Sequence, residues 1–88
     1  MALIHLKIVT PEGLHYDADA QRVMVRTTGG DVAILPRHID YSAALGSGEA
    51  RVTEVDGKVR RAEVSGGLLH VASDEVQVIT SHFKWMDA

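Results

Sequence analysis

Five histidines, a pair of aspartates two residues apart and a serine beside two glycines are the positions at which this chain could carry chemistry. His5, His15, His38, His70 and His82 form no i,i+4 pair and no H-E-x-x-H, so they lack the spacing that puts two imidazoles on one helix face around zinc. Asp17 and Asp19 would face the same way on a strand and could share a cation. The oxygen-rich, glycine-centred loop that calcium requires is missing, however, and the two read as loop carboxylates. Ser65 is preceded two residues earlier by Glu63 rather than glycine, so the nucleophile elbow G-x-S-x-G fails and Ser65-Gly66-Gly67 reads as a bend at a sheet edge. Gly29-Gly30 is followed by no third glycine, no Lys-Ser or Lys-Thr and no helix, which excludes the phosphate-binding loops. No catalytic residue, metal ligand set or cofactor site is therefore assigned.

The composition narrows the class further. Nine Lys plus Arg against twelve Asp plus Glu leave a formal charge of −3 over 88 residues. That is the wrong sign for a nucleic-acid footprint, and one Phe, two Tyr and one Trp build no stacking platform for single strands. The absence of cysteine excludes disulfides, a thiol nucleophile and Cys-ligated zinc. No apolar run approaches the roughly 18 residues of a membrane span, and the N-terminal apolar stretch is too short for a signal core. The chain is thus expected to be neither exported by that route nor membrane-spanning. It has the length of one domain.

The elements that must position any function are strands. Ile4, Leu6 and Ile8 alternate with His5, Lys7 and Val9, and Val23 and Val25 alternate with Arg22, Met24 and Arg26. Thr10-Pro11-Glu12-Gly13 turns the chain toward Leu14 to Tyr16. Thr27-Thr28-Gly29-Gly30-Asp31 closes a hairpin onto Val32 to Leu35, and Pro36 stops the pairing. A less regular stretch runs through Tyr41 and Leu45 to the break at Gly46-Ser47-Gly48. Asp56-Gly57 marks a tight turn that pairs Arg51 to Val55 with Lys58 to Val64, with arginines and glutamates forming cross-strand charge pairs. Leu68 to Ala72 and an alternating run of Val76, Val78 and Thr80 follow. The pattern predicts an all-β fold, an antiparallel β-sandwich of about eight to ten short strands, spanning residues 1–81, with residues 82–88 as a C-terminal tail. In that tail Phe83 and Trp85 either extend the last strand, cover an apolar edge or fray.

The order of the turn motifs resembles the N-terminal β-sandwich of the epsilon subunit of F-type ATP synthases, from about Leu3 to Thr80. Three ordered blocks carry the likeness: Ile8-Val9-Thr10-Pro11-Glu12-Gly13, Gly30-Asp31-Val32-Ala33-Ile34-Leu35-Pro36-Arg37-His38, and Val64-Ser65-Gly66-Gly67-Leu68-Leu69-His70-Val71. Ala33 and Arg37 stand where the usual pattern has glycines, so the loop around Pro36 is expected to differ in shape or docking. The family continues past the equivalent of Ala88 into a pair of helices, and the inhibitory and ATP-sensing functions carried on them are not assigned to these residues.

The resemblance implies a non-catalytic rotor subunit without cofactor, seated on the gamma subunit and the c-ring at the cytoplasmic face of a bacterial inner membrane. Residue by residue it implies that Gly29, Gly30 and Asp31 contact the c-ring and that His38, Ile39, Tyr41 and Ser42 face gamma and the ring. Two readings compete with it. One is a stand-alone sandwich binding a small ligand through Arg37 and His38; the other is a hydrolase using Ser65 and a histidine, which the missing elbow disfavours.

Overall fold

The computed structural model describes residues 2–37 and 40–86. His38 and Ile39 therefore lie outside the described residues. Among the described residues seven strands follow one another: β1 (Ile4–Thr10), β2 (Gly13–Thr27), β3 (Gly30–Ile34), β4 (Tyr41–Ala44), β5 (Ser47–Glu54), β6 (Val59–Ala72) and β7 (Glu75–Trp85). Their hydrogen-bonded order is β1-β7-β6-β5-β2-β3, with β4 on β6 and an additional β1–β2 pairing that closes the path on itself.

Two long strands make this a sandwich. The first part of β2 pairs with β1 from Gly13 to Ala20, and its second part pairs with β5 and β3 from Ala20 to Thr27. Likewise β6 pairs with β5 from Val59 to Ser65 and with β4 from Leu68 to Val71, while β7 accompanies it from Ala62 to Ala72. The first layer thus contains β4, the later part of β6, β7, β1 and the start of β2. The second contains β3, the end of β2, β5 and the start of β6.

The alternation read from sequence sets the inner face. Ile4, Leu6 and Ile8 on β1, Val23 and Val25 on β2, Val52 on β5, Leu69 and Val71 on β6, and Val76 and Val78 on β7 are fully buried in one cluster. Each such side chain contributes about 1.5–3 kcal/mol relative to exposure. Branched residues dominate because they pack well on a pleated surface.

The all-β sandwich stands, and several details differ from the sequence reading. Residues 17–21, assigned to no strand there, carry β2 through without interruption, so Asp17 and Asp19 lie on a strand rather than in a loop. Ser65-Gly66-Gly67 is likewise interior to β6, and Tyr41–Ala44 forms the short strand β4, giving seven strands instead of eight to ten. One pairing is parallel: His5 to Val9 on β1 run alongside Glu75 to Ile79 on β7. Finally, the boundary placed after Ser81 falls inside β7, where His82 and Lys84 pair with Ser65 and Glu63. Phe83 joins the core, and Trp85 meets Phe83 edge-on at 4.9 Å and Tyr16 at 5.8 Å between ring centroids. Arg60 covers the indole at 3.8 Å.

The charge pattern of the β5–β6 ribbon also differs. Residues directly opposite are alike in charge, Glu49 with Glu63 and Arg51 with Arg61. The ion pairs instead run along the strand, from Arg51 Nε to Glu49 at 2.6 Å, and diagonally, from Arg61 to the same carboxylate at 3.8 Å.

The corner in β6 is the tightest place in the fold. Gly66 and Gly67 have φ of 71° and 115°, in the region that side chains disfavour. A Cβ built on Gly67 would lie 1.9 Å from the Ile79 carbonyl oxygen and 2.7 Å from Thr80 Cα, so neither backbone nor volume admits one. The buried Thr80 hydroxyl donates to the Gly66 carbonyl at 2.7 Å, and Leu45 N–H donates to the Gly67 carbonyl at 2.9 Å. Gly67→Ala is expected to destabilise the chain by on the order of 3–5 kcal/mol or to prevent folding. Urea unfolding checks this; an unchanged midpoint contradicts it.

Candidate functional site

The β2–β3 hairpin puts Asp31 at one end of the second layer. Thr28 and Gly29 form its loop, Thr27 accepts the Gly29 N–H on its hydroxyl at 3.1 Å, and positive φ falls on Gly30. Asp31 faces Arg26 across the ladder and accepts its Nε–H at 2.6 Å, with both side chains half exposed. That hydrogen bond holds the Asp31 carboxyl below the usual carboxylate range and the Arg26 guanidinium above its own. The Asp31 carboxyl therefore ionises more readily than a free one, at the exposed start of β3. Gly29 has no close neighbour around its would-be Cβ except Thr27 Oγ1 at 3.8 Å.

Tyr41 and Ser42 lie on β4, in the other layer. Tyr41 packs half-buried against the core, and Ser42 points outward with its hydroxyl 2.9 Å from His70 Nδ1. The sequence-assigned residues thus fall at two places, the hairpin end of one layer and the outer face of the other. Arg37 itself adopts φ 65°, in the left-handed region that favours glycine, with its N–H donating to Asp74, whereas Ala33 lies in β3 without positive φ. Ser65 hydrogen-bonds the Ser47 hydroxyl at 3.0 Å, not a histidine.

Sequence reasoning missed the outer face of the first layer as a unit. In register across β4, β6, β7, β1 and β2 lie Ala44, Leu68, Ile79, Val9 and Leu14, each paired with the next. A bulge after Ile8 skips His15 and turns Leu14 outward beside Val9. Leu14, Leu68 and Ile79 are 56%, 55% and 48% exposed, which makes this a continuous apolar row on the surface rather than scattered residues. The signal was present: Ile8-Val9, Leu68-Leu69 and Val78-Ile79 are apolar doublets in alternating strands, so one of each pair must face out. The adjoining row is polar, running Ser42, His70, Gln77, Lys7 and Asp17.

Beyond it His5 is clamped between two carboxylates of β2. Its Nε2 lies 2.5 Å from Asp17 and its Nδ1 3.1 Å from Asp19. Carboxylates only accept, so the paired contacts require both ring N–H groups, and the hydrogen bonds to Asp19 and Asp17 raise the His5 pKa above the ordinary 6.5. Among the described residues no group of three or more His, Asp or Glu is disposed to hold a metal ion.

Residues 3–86 match the family described as ATP synthase, Delta/Epsilon chain, beta-sandwich domain. The ATP synthase epsilon chain of Bacillus velezensis is 44% identical over 79 residues, covering 90% of this chain and 59% of that one. That of Ruminococcus albus is 36% identical over 88 residues, covering 99% and 65%. The chain thus spans about three-fifths of the length of these curated relatives. Among solved structures, the fold matches a chain of the Euglena gracilis mitochondrial ATP synthase with TM-score 0.90 and 23% identity, over 97% of this chain and 54% of that one. It also matches a chain of the Tetrahymena thermophila mitochondrial ATP synthase central stalk and c-ring with TM-score 0.76 and 15% identity, over 91% and 64%.

The clamp yields a pH dependence. A raised folded-state pKa stabilises fully below the unfolded value near 6.5, and the gain is lost as pH rises through the folded pKa. The stability deficit of His5→Gln should therefore be larger at about pH 6 than at about pH 8.5 in urea unfolding. A deficit independent of pH, or an NMR ring titration at or below the ordinary value, contradicts the clamp.

Proposed function

The chain belongs to the ATP synthase delta/epsilon β-sandwich family, and from that premise we propose that it serves as a non-catalytic central-stalk subunit of an F-type ATP synthase. In this reading it seats on the gamma subunit and the c-ring at the cytoplasmic face of a bacterial inner membrane. It passes rotation of the ring, driven by ion flow, to gamma and so to ATP synthesis.

The observation that carries the reading is the outward row Ala44–Leu68–Ile79–Val9–Leu14. An apolar row crossing five strands gains stability when another protein surface covers it, and the polar row beside it supplies hydrogen bonds that fix register. Gamma is its proposed occupant, with Ser42 and His70 at the border of the contact. The reading extends to Tyr41, which braces β4 from the core side, and to His38 and Ile39, which precede it in the sequence. The Gly29-Gly30-Asp31 hairpin, whose carboxyl is held below the usual carboxylate range, is the proposed contact with polar or basic loops of the c-ring.

The physical demand on such a part is stiffness. One closed, doubly layered sheet with a single core resists shear, whereas a loosely attached element would lose torque to local opening.

Leu68→Asp with Ile79→Asp alters two outward positions and should leave the far-UV spectrum of the chain intact while weakening co-purification with gamma by about tenfold or more. Asp31→Arg should leave gamma binding in place and reduce retention of the c-ring. Undiminished recovery of gamma by the double variant overturns the assignment of the apolar row, and undiminished c-ring retention by Asp31→Arg overturns that of the hairpin.

A further inference from the structure

The outer face of the second layer has a different chemistry, and nothing in the rotor reading uses it. Register sets Ala33, Met24, Arg51 and Arg61 side by side across β3, β2, β5 and β6, with Arg22, Thr53 and Val59 in an adjoining row. Ala33 and Thr53 are short, whereas Arg22, Met24 and Arg51 are long. Between them lies a depression of about 250 Å³ lined by Arg22, Met24, Ala33, Arg51, Thr53 and Val59.

Its charge is one-sided, because none of the six lining residues is acidic. The nearby carboxylates are engaged at the rim: Asp31 binds Arg26, and Glu49 binds Arg51 Nε on its own strand and lies 3.8 Å from Arg61. Arg22 has only the Thr53 hydroxyl, at a long 3.4 Å, and among the described residues no carboxylate pairs with it. Glu49 thus bridges the facing pair Arg51 and Arg61, and only the Nε edge of Arg51 is taken by it.

We propose that this depression binds a phosphate group, carried on a small organic body. The guanidinium groups of Arg22 and Arg51 offer planar pairs of N–H donors matched to phosphate oxygens, and the Thr53 hydroxyl adds one more donor. Met24, Ala33 and Val59 form the apolar remainder of the lining, and the volume exceeds what the anion alone fills, so a phosphate monoester fits better than inorganic phosphate. Both guanidinium groups are exposed to water, which makes the affinity modest and dependent on salt.

The test is an NMR titration of the ¹⁵N-labelled 88-residue chain with phenyl phosphate, inorganic phosphate and sodium chloride at matched ionic strength. Expected are saturable shifts centred on Arg22, Ala33, Arg51 and Thr53, with phenyl phosphate tighter than inorganic phosphate. Arg22→Gln should weaken phenyl phosphate by about tenfold, whereas Lys84→Gln, on β7 and outside the depression, should leave it within about twofold. Equal affinity for the two phosphates supports the anion site and identifies the free ion as sufficient. Shifts that chloride reproduces, that fail to saturate, or that survive unchanged in Arg22→Gln overturn the proposal.

Discussion

Close approach of β6 to β7 at Gly67 governs the rest of the molecule. There the backbone of one strand occupies the space in which any side chain would stand, 1.9 Å from a carbonyl oxygen of the other. Two successive residues with positive φ let β6 continue through the contact instead of ending at it. One strand therefore serves both layers, pairing with β5 before the corner and β4 after it. At this corner the Gly66 carbonyl accepts from the Thr80 hydroxyl and the Gly67 carbonyl from the Leu45 N–H.

From that corner the two outer faces diverge. Past it, Leu68 joins Ile79, Val9 and Leu14 in an apolar row suited to protein contact. Before it, Arg61 stands beside Arg51 on an arginine-bearing face with a concave, carboxylate-free depression. The Asp31 hairpin closes the end of that second layer. A single core thus presents three surfaces of distinct chemistry in fixed relation, which is what a part joining several partners requires. For the proposed rotor role, fixed relation matters more than any one contact, since such a part would pass torque only through elements that do not open separately.

Much of this was legible in the residues and some was not, for identifiable reasons. Alternation at Ile4, Leu6, Ile8, Val23, Val25, Val76 and Val78 predicted their burial, because one buried face of a sheet forces a period of two. Glycines in Ser65-Gly66-Gly67 signalled a special backbone but not its sense: the same residues that end a strand also let it twist past a neighbour. Asp17 and Asp19 were misread because short polar stretches look like loops, and only pairing with β1 shows that they grip His5. Tyr41–Ala44 was too short to show a period, and the parallel β1–β7 pair depends on long-range topology that local pattern does not encode. Phe83 and Trp85 sit at the end of the chain, where burial depends on Tyr16 and His15 in a distant strand. Of the assigned contact residues, the hairpin position of Asp31 was readable from Gly29-Gly30. The apolar row was visible only as doublets, whose alignment requires the register of five strands.

Native-state hydrogen exchange along β6 tests most directly whether the corner makes one stiff body of the two layers. Buried amides before it, at Ala62 and Val64, and after it, at Leu69 and Val71, should open with the same free energy, equal to that of global unfolding. If one side exchanges through a separate opening of much lower free energy, the layers move independently and the account of a rigid coupling element is wrong.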